Sequence, residues 1–160
     1  MIFALEEPAE EVKQFRANPW QSQQTFKTPL KNLNKFVATL LDPFALEAAS
    51  LSTDEIVFEP DRLLQLMASN SIHTESPWKF NLRASGPQSI AEFLEATLAC
   101  WIDFAFVSTP ELFAIYADHD EYTTFYAPTE ATVKDLASVL EQAGFERVDG
   151  YRRPSGDNWK

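Results

Sequence analysis

Four adjacent side chains, Asp118-His119-Asp120-Glu121, are the densest set of groups in this sequence that could do chemistry. Three carboxylates and an imidazole are the donors from which divalent cations are held, oxygens for hard ions and nitrogen for softer ones. The spacing works against a shared site, because neighbours in a tight turn point in different directions. No glycine stands where a calcium-binding loop needs one. The expectation is a solvated hairpin tip that binds no metal and offers its charge to a basic partner.

Other reactive groups are scattered. Cys100 lies in Leu98-Ala99-Cys100-Trp101-Ile102, an apolar stretch in which a thiol packs as a small inert hydrophobe. The two histidines, His73 and His119, bring nothing to it locally. Asp103 stands inside Ile102-Asp103-Phe104-Ala105-Phe106-Val107, on the strand face opposite Phe104 and Phe106. Buried there, it would titrate high and could act as a general acid or base; at a solvent-facing rim it would be an ordinary carboxylate. Both readings stand at this point. No GxSxG, HExxH, CxxC, P-loop or GxGxxG pattern occurs, and four glycines are too few and too dispersed for a phosphate cradle. No catalytic residue and no cofactor follows from the sequence.

Charge is the more informative signal. The chain of 160 residues has a net charge of −11, which disfavours nucleic acid and anionic membrane surfaces. The charge is also segregated. Residues 12–41 carry five bases (Lys13, Arg16, Lys27, Lys31, Lys35) and no acid. Residues 84–133 carry eight acids (Glu92, Glu95, Asp103, Glu111, Asp118, Asp120, Glu121, Glu130) and no base. Two explanations compete: the segments pack together and neutralise one another, or the acidic one faces a basic partner.

Composition bounds the class. Apolar residues make up 45% and charged residues 23%, so the chain can fill a core and lies far from the disordered range. Its length suits one domain, here 1–160, with a helical part over about 1–70 and an α+β part over about 78–153. The start lacks the basic and apolar regions of a secretory leader, and no run approaches a membrane span. One cysteine forms no internal disulfide, which makes the cytoplasm the expected compartment.

Periodicity supplies the elements that must position these groups. Thr28-Pro29 opens a helix whose face is Leu30, Leu33, Phe36, Val37, Leu40 and Leu41, ended by Asp42-Pro43. A short helix is expected over residues 44–49, a short strand over 56–58 and a helix over 60–68. Residues 78–83 alternate as a strand, and Ser89 begins a helix that runs to about Cys100. Strands over 102–107, 112–117 and 122–127 follow, the last two joined through Asp118-His119-Asp120-Glu121 as a hairpin. A helix over 129–143 ends at Gly144, residues 145–153 form an edge strand, and residues 154–160 read as loose.

The fold class expected is α+β: a mainly antiparallel sheet, with a meander and hairpin in the C-terminal half, packed against helices, and a mostly helical N-terminal half. Ten side chains should fill the core: Leu33, Phe36, Val37, Leu40, Phe93, Phe104, Phe106, Ile115, Leu136 and Leu140. In size and acidity the chain resembles intracellular toxin inhibitors such as barstar, a likeness of composition. The function expected is an acidic cytoplasmic binding protein, an immunity protein that neutralises a basic toxin such as a nuclease. Its contacts would come from Asp118, Asp120, Glu121, Tyr122, Tyr116 and Glu111. An adaptor would look the same. The alternative is a small enzyme, or an enzyme subunit, with a carboxylate site assembled from distant residues.

Overall fold

Side-chain alternation in one strand decides the architecture. A computed structural model describes residues 1–74 and 78–151. In β5 (Ile102–Pro110), Ile102, Phe104 and Phe106 join a large apolar core, while Ala105 and Val107 join a second, smaller one. A strand apolar on both sides must be covered on both faces. Here the first seven residues of β5 are all buried.

β5 sits inside an antiparallel sheet of eight strands. The others are β1 (Ile2–Ala4), β2 (Gln23–Lys27), β3 (Leu46–Ile56), β4 (Asn81–Ser85), β6 (Ala114–Ala117), β7 (Tyr122–Tyr126) and β8 (Arg147–Val148), in the order β1-β4-β3-β5-β6-β7-β2-β8. Four helices, α2 (Leu33–Leu41), α3 (Asp61–Ser69), α4 (Pro87–Leu98) and α5 (Glu130–Gln142), bury their apolar faces on one side of this sheet. A fifth, α1 (Glu10–Ala17), lies on the other side and places Val12 and Phe15 against Val107, Tyr116 and Tyr126. All ten side chains expected in the core are buried, on the four-helix side.

The chain is α+β, but its first half is not mostly helical. β1, β2 and β3 all precede residue 60, and β3 is an 11-residue strand. The short helix expected over 44–49 is replaced by the start of β3. Glu47-Ala48-Ala49 favours a helix locally, by less than about 1 kcal/mol per residue. β3 instead pairs with β4 on one side and β5 on the other. Two hydrogen-bonded ladders and the burial of Ala49 and Leu51 outweigh that preference.

Other boundaries shift for identifiable reasons. The helix expected from Pro29 starts as a 3-10 turn at Leu30–Asn32 and becomes α-helical at Leu33. Thr28 does not cap it, because its hydroxyl hydrogen-bonds Thr123 Oγ1 at 2.7 Å. Thr129 does cap α5, accepting the Thr132 N–H. Gly144, at φ 94°, ends that helix in the left-handed region. The expected loose end, 154–160, lies outside the described residues, as do 75–77 and 152–153. Among the described residues no helix is long and apolar enough to cross a membrane.

Candidate functional site

The hairpin between β6 and β7 is built by the side chain of Asp118. Its Oδ1 accepts the backbone N–H groups of Asp120 at 2.9 Å and Tyr122 at 3.2 Å, and its own N–H donates to Tyr122 O at 3.0 Å. The Tyr151 hydroxyl donates to Oδ2, and the Tyr151 ring packs on Tyr122 with centroids 4.6 Å apart. Asp118 is therefore buried. Burial pushes its carboxyl above the usual range against these hydrogen bonds, and the nearby Asp103 charge adds to the rise. Glu121 closes the turn at φ 75°.

The six residues expected to meet a partner are not brought together. Asp120 and Glu121 are exposed, with Tyr122 half-buried beside them. Asp118 turns inward. Tyr116 is 2% exposed and packs beneath α1, so it presents no ring to a partner. Glu111 lies in the turn between β5 and β6, at the opposite end of those strands, where its Oε2 accepts the Ala45 N–H.

The structure instead draws in residues far away in sequence. Asp103, in the apolar strand β5, is 6% exposed, which decides its two sequence readings in favour of burial. Its Oδ1 accepts both the His119 backbone N–H at 2.7 Å and the His119 ring nitrogen Nδ1 at 2.8 Å. That hydrogen bond is the main cause holding the imidazole above its ordinary pKa. Partial burial opposes it, and the charges of Asp103, Asp120 and Glu55 assist. His119 Nε2 lies 3.7 Å from Asp120 Oδ1.

Glu55 completes the group, and sequence reasoning missed it. Along β3, Ser50 and Ser52 pair with Val107 and Ala105 and share their face, so strict alternation would send Glu55 to the four-helix side. A bulge between Thr53 and Glu55 adds one residue and sets Glu55 opposite Asp103. One ligand atom each from Glu55, Asp103 and His119 then fall within 4.8 Å of one another. The one available signal was Asp103 itself, an acid inside an apolar strand. A bulge leaves no mark in hydrophobic periodicity.

The rest of this face is a polar network that seats α1. Arg16 of α1 pairs with Asp54 at 2.6 Å and donates to Ser52 O at 3.3 Å. Glu11 accepts from Arg83 and from the Ser50 hydroxyl, and Ser52 donates to Asn81. Of the basic N-terminal segment, Arg16 thus reaches this sheet face, where Asp54 neutralises it. None of the eight acids of residues 84–133 is involved. A cleft of about 1020 Å³ lies elsewhere, along residues 4–8, the end of α3 and the start of β4. Glu6, Glu7, Lys13 and Lys79 line it with both signs of charge.

Comparison of the chain with protein-family models, with curated proteins and with solved structures finds no match.

Proposed function

We propose that this chain is an acidic cytoplasmic binding protein that captures a basic protein partner at the acid-rich end of its sheet. The concrete form is an immunity protein neutralising a toxin such as a nuclease. The supporting observation is that exposed Glu55 and Asp120 lie close to His119 at one end of β3, β5 and the β6–β7 hairpin, with exposed Glu121 next in the same loop. Carboxylates gathered at one end of a sheet resemble the phosphate charge that a nuclease cleft attracts. Opposite potentials speed the encounter of such partners. The net charge of −11 adds the same sign at long range.

The test begins with pull-down from native lysate to identify the partner. Association rates at low and high salt are then compared for the wild type and Asp120→Asn/Glu121→Gln. The double variant should associate more slowly and show a flatter salt dependence, with dissociation little changed. An unchanged association rate, or a partner that is itself acidic, removes the charge argument.

A second reading, the enzyme with a carboxylate site assembled from distant residues, has the Asp103–His119 hydrogen bond in its favour. An imidazole oriented by a buried carboxylate is a common acid–base arrangement. Turnover of a small molecule without any protein partner would favour that reading over capture.

A further inference from the structure

We propose that Glu55, Asp103 and His119 form a binding site for a divalent transition-metal ion of the zinc kind. The three residues come from three separate segments, β3, β5 and the β6–β7 loop, and their ligand atoms lie within 4.8 Å of one another. This set is not the run of four adjacent loop residues that the sequence displays. The loop contributes only His119, and the strands contribute the carboxylates.

Two features distinguish the group from acids that happen to be neighbours. The bulge in β3 re-aims Glu55 onto the face of Asp103 and away from the face that alternation would give it. Asp103 accepts the His119 backbone N–H, which fixes the loop, and its contact with Nδ1 already brings the imidazole nitrogen beside a carboxylate oxygen. Charge is consistent with this. Among the described residues neither Glu55 nor Asp103 is ion-paired with a lysine or arginine, and His119 is the partner of Asp103. Two carboxylates and a neutral imidazole carry the charge that a divalent cation balances.

The donor set selects the class of ion. One imidazole nitrogen with two carboxylate oxygens suits zinc and its first-row neighbours, whereas magnesium and calcium take oxygen donors alone. Tetrahedral zinc, at 2.0–2.1 Å from its ligands, sets them roughly 3.3 Å apart. His119 Nδ1 and Asp103 Oδ1 are 2.8 Å apart. The inward movement needed to bind falls to Glu55, whose side chain is exposed and free to rotate. Three protein ligands leave a fourth position open toward solvent. The ion takes the place of the proton between His119 Nδ1 and Asp103 Oδ1: that proton leaves to solvent, the neutral ring keeps its proton on Nε2, and the two ligand atoms part from 2.8 Å to roughly 3.3 Å.

The experiment titrates the chelator-treated full-length protein with Zn²⁺ by calorimetry, alongside thermal unfolding with and without the ion. One ion per chain should bind saturably and raise the melting temperature. Glu55→Gln and His119→Ala should each weaken binding by roughly 10-fold or more, the scale on which even outer residues of metal sites act. His73→Ala should leave binding unchanged. Glu55 is exposed, so Glu55→Gln should keep the fold, which far-ultraviolet circular dichroism checks. Absence of saturable binding overturns the proposal. So does binding that survives both Glu55→Gln and His119→Ala, or that disappears with His73→Ala. These outcomes are independent of partner capture, which is tested with Asp120→Asn/Glu121→Gln.

Discussion

Removing Asp54 should release α1 from the sheet at a cost of about 3 kcal/mol. α1 has eight residues, shorter than the roughly 12–15 an isolated helix needs in water, so packing must hold it. Its buried side chains are Val12 and Phe15. Beyond these, it is held by the Arg16–Asp54 pair at 2.6 Å and by Glu11 with Arg83 and Ser50. The Arg16 and Asp54 side chains are 11% and 12% exposed. That places the pair near the buried limit, where removing one partner costs about 3–5 kcal/mol, and far from the roughly 0–1 kcal/mol of surface pairs. The small remaining exposure favours the lower end.

The helix is attached at few points, so much of the loss should be local opening. In Asp54→Ala, amide hydrogen exchange should speed up about 100-fold within α1, the equivalent of about 3 kcal/mol, with much smaller changes in β5. The urea midpoint should fall as well. Arg16→Ala should do the same, and the double variant should cost clearly less than the sum of the two. The apolar replacement Arg16→Met/Asp54→Leu should recover much of the loss. If each single variant costs under about 0.5 kcal/mol and the two effects add, the pair behaves as a solvated surface contact. The polar account of α1 docking would then be refuted.

Acid should loosen the same helix through Glu11. Burial raises its pKa, but hydrogen bonds from the Ser50 hydroxyl, from the backbone and from Arg83 outweigh this and hold the carboxyl below its ordinary value. Its stabilising contribution is therefore full above the unfolded pKa of about 4.5 and is lost as pH falls through the folded value; Glu11→Gln should flatten the acid limb of a pH–stability curve. Phe104→Ala, fully buried on the four-helix side, should cost about 3–5 kcal/mol in urea unfolding, and a cost below about 1 kcal/mol would contradict the core assignment. Gly144→Ala meets no atom within 4 Å, so its cost should be backbone strain alone, roughly 1–2 kcal/mol from the left-handed φ, read as a lowered melting temperature.

How much of the fold the sequence discloses depends on the type of element. α4 and α5 carry long periodic faces; α5 is bounded as expected by Thr129 and Gly144, whereas α4 spans Pro87–Leu98 and so starts two residues before the expected Ser89. β5, β6 and β7 are linked by short turns, so local alternation suffices. β3 is different. Its start is rich in Ala and Glu, and it is a strand because β4 and β5 lie on either side of it. β2 is inserted between β7 and β8, both nearly a hundred residues or more away in sequence. Strands made by distant partners have weak local signatures. That is why the first half of the chain reads as helical when it supplies three strands to the sheet.

The site follows the same logic. Asp118 and His119 are conspicuous in sequence as neighbours, yet the structure gives them opposite tasks. The Asp118 carboxylate folds back to close the turn, and the imidazole reaches across to Asp103 on the adjacent strand. Asp103 was visible as an anomaly, an acid among Phe and Ala, but its partner lies 16 residues away. Glu55 had no signal, because its orientation depends on one extra residue in β3. Counting like charges along the chain therefore does not give the set of acids that meet in space. Glu111 belongs to the acidic segment and sits at the far end of β5, whereas Glu55 lies outside that segment and sits opposite Asp103. What makes a site here is register across strands, and register is the quantity that a linear reading of charge does not contain.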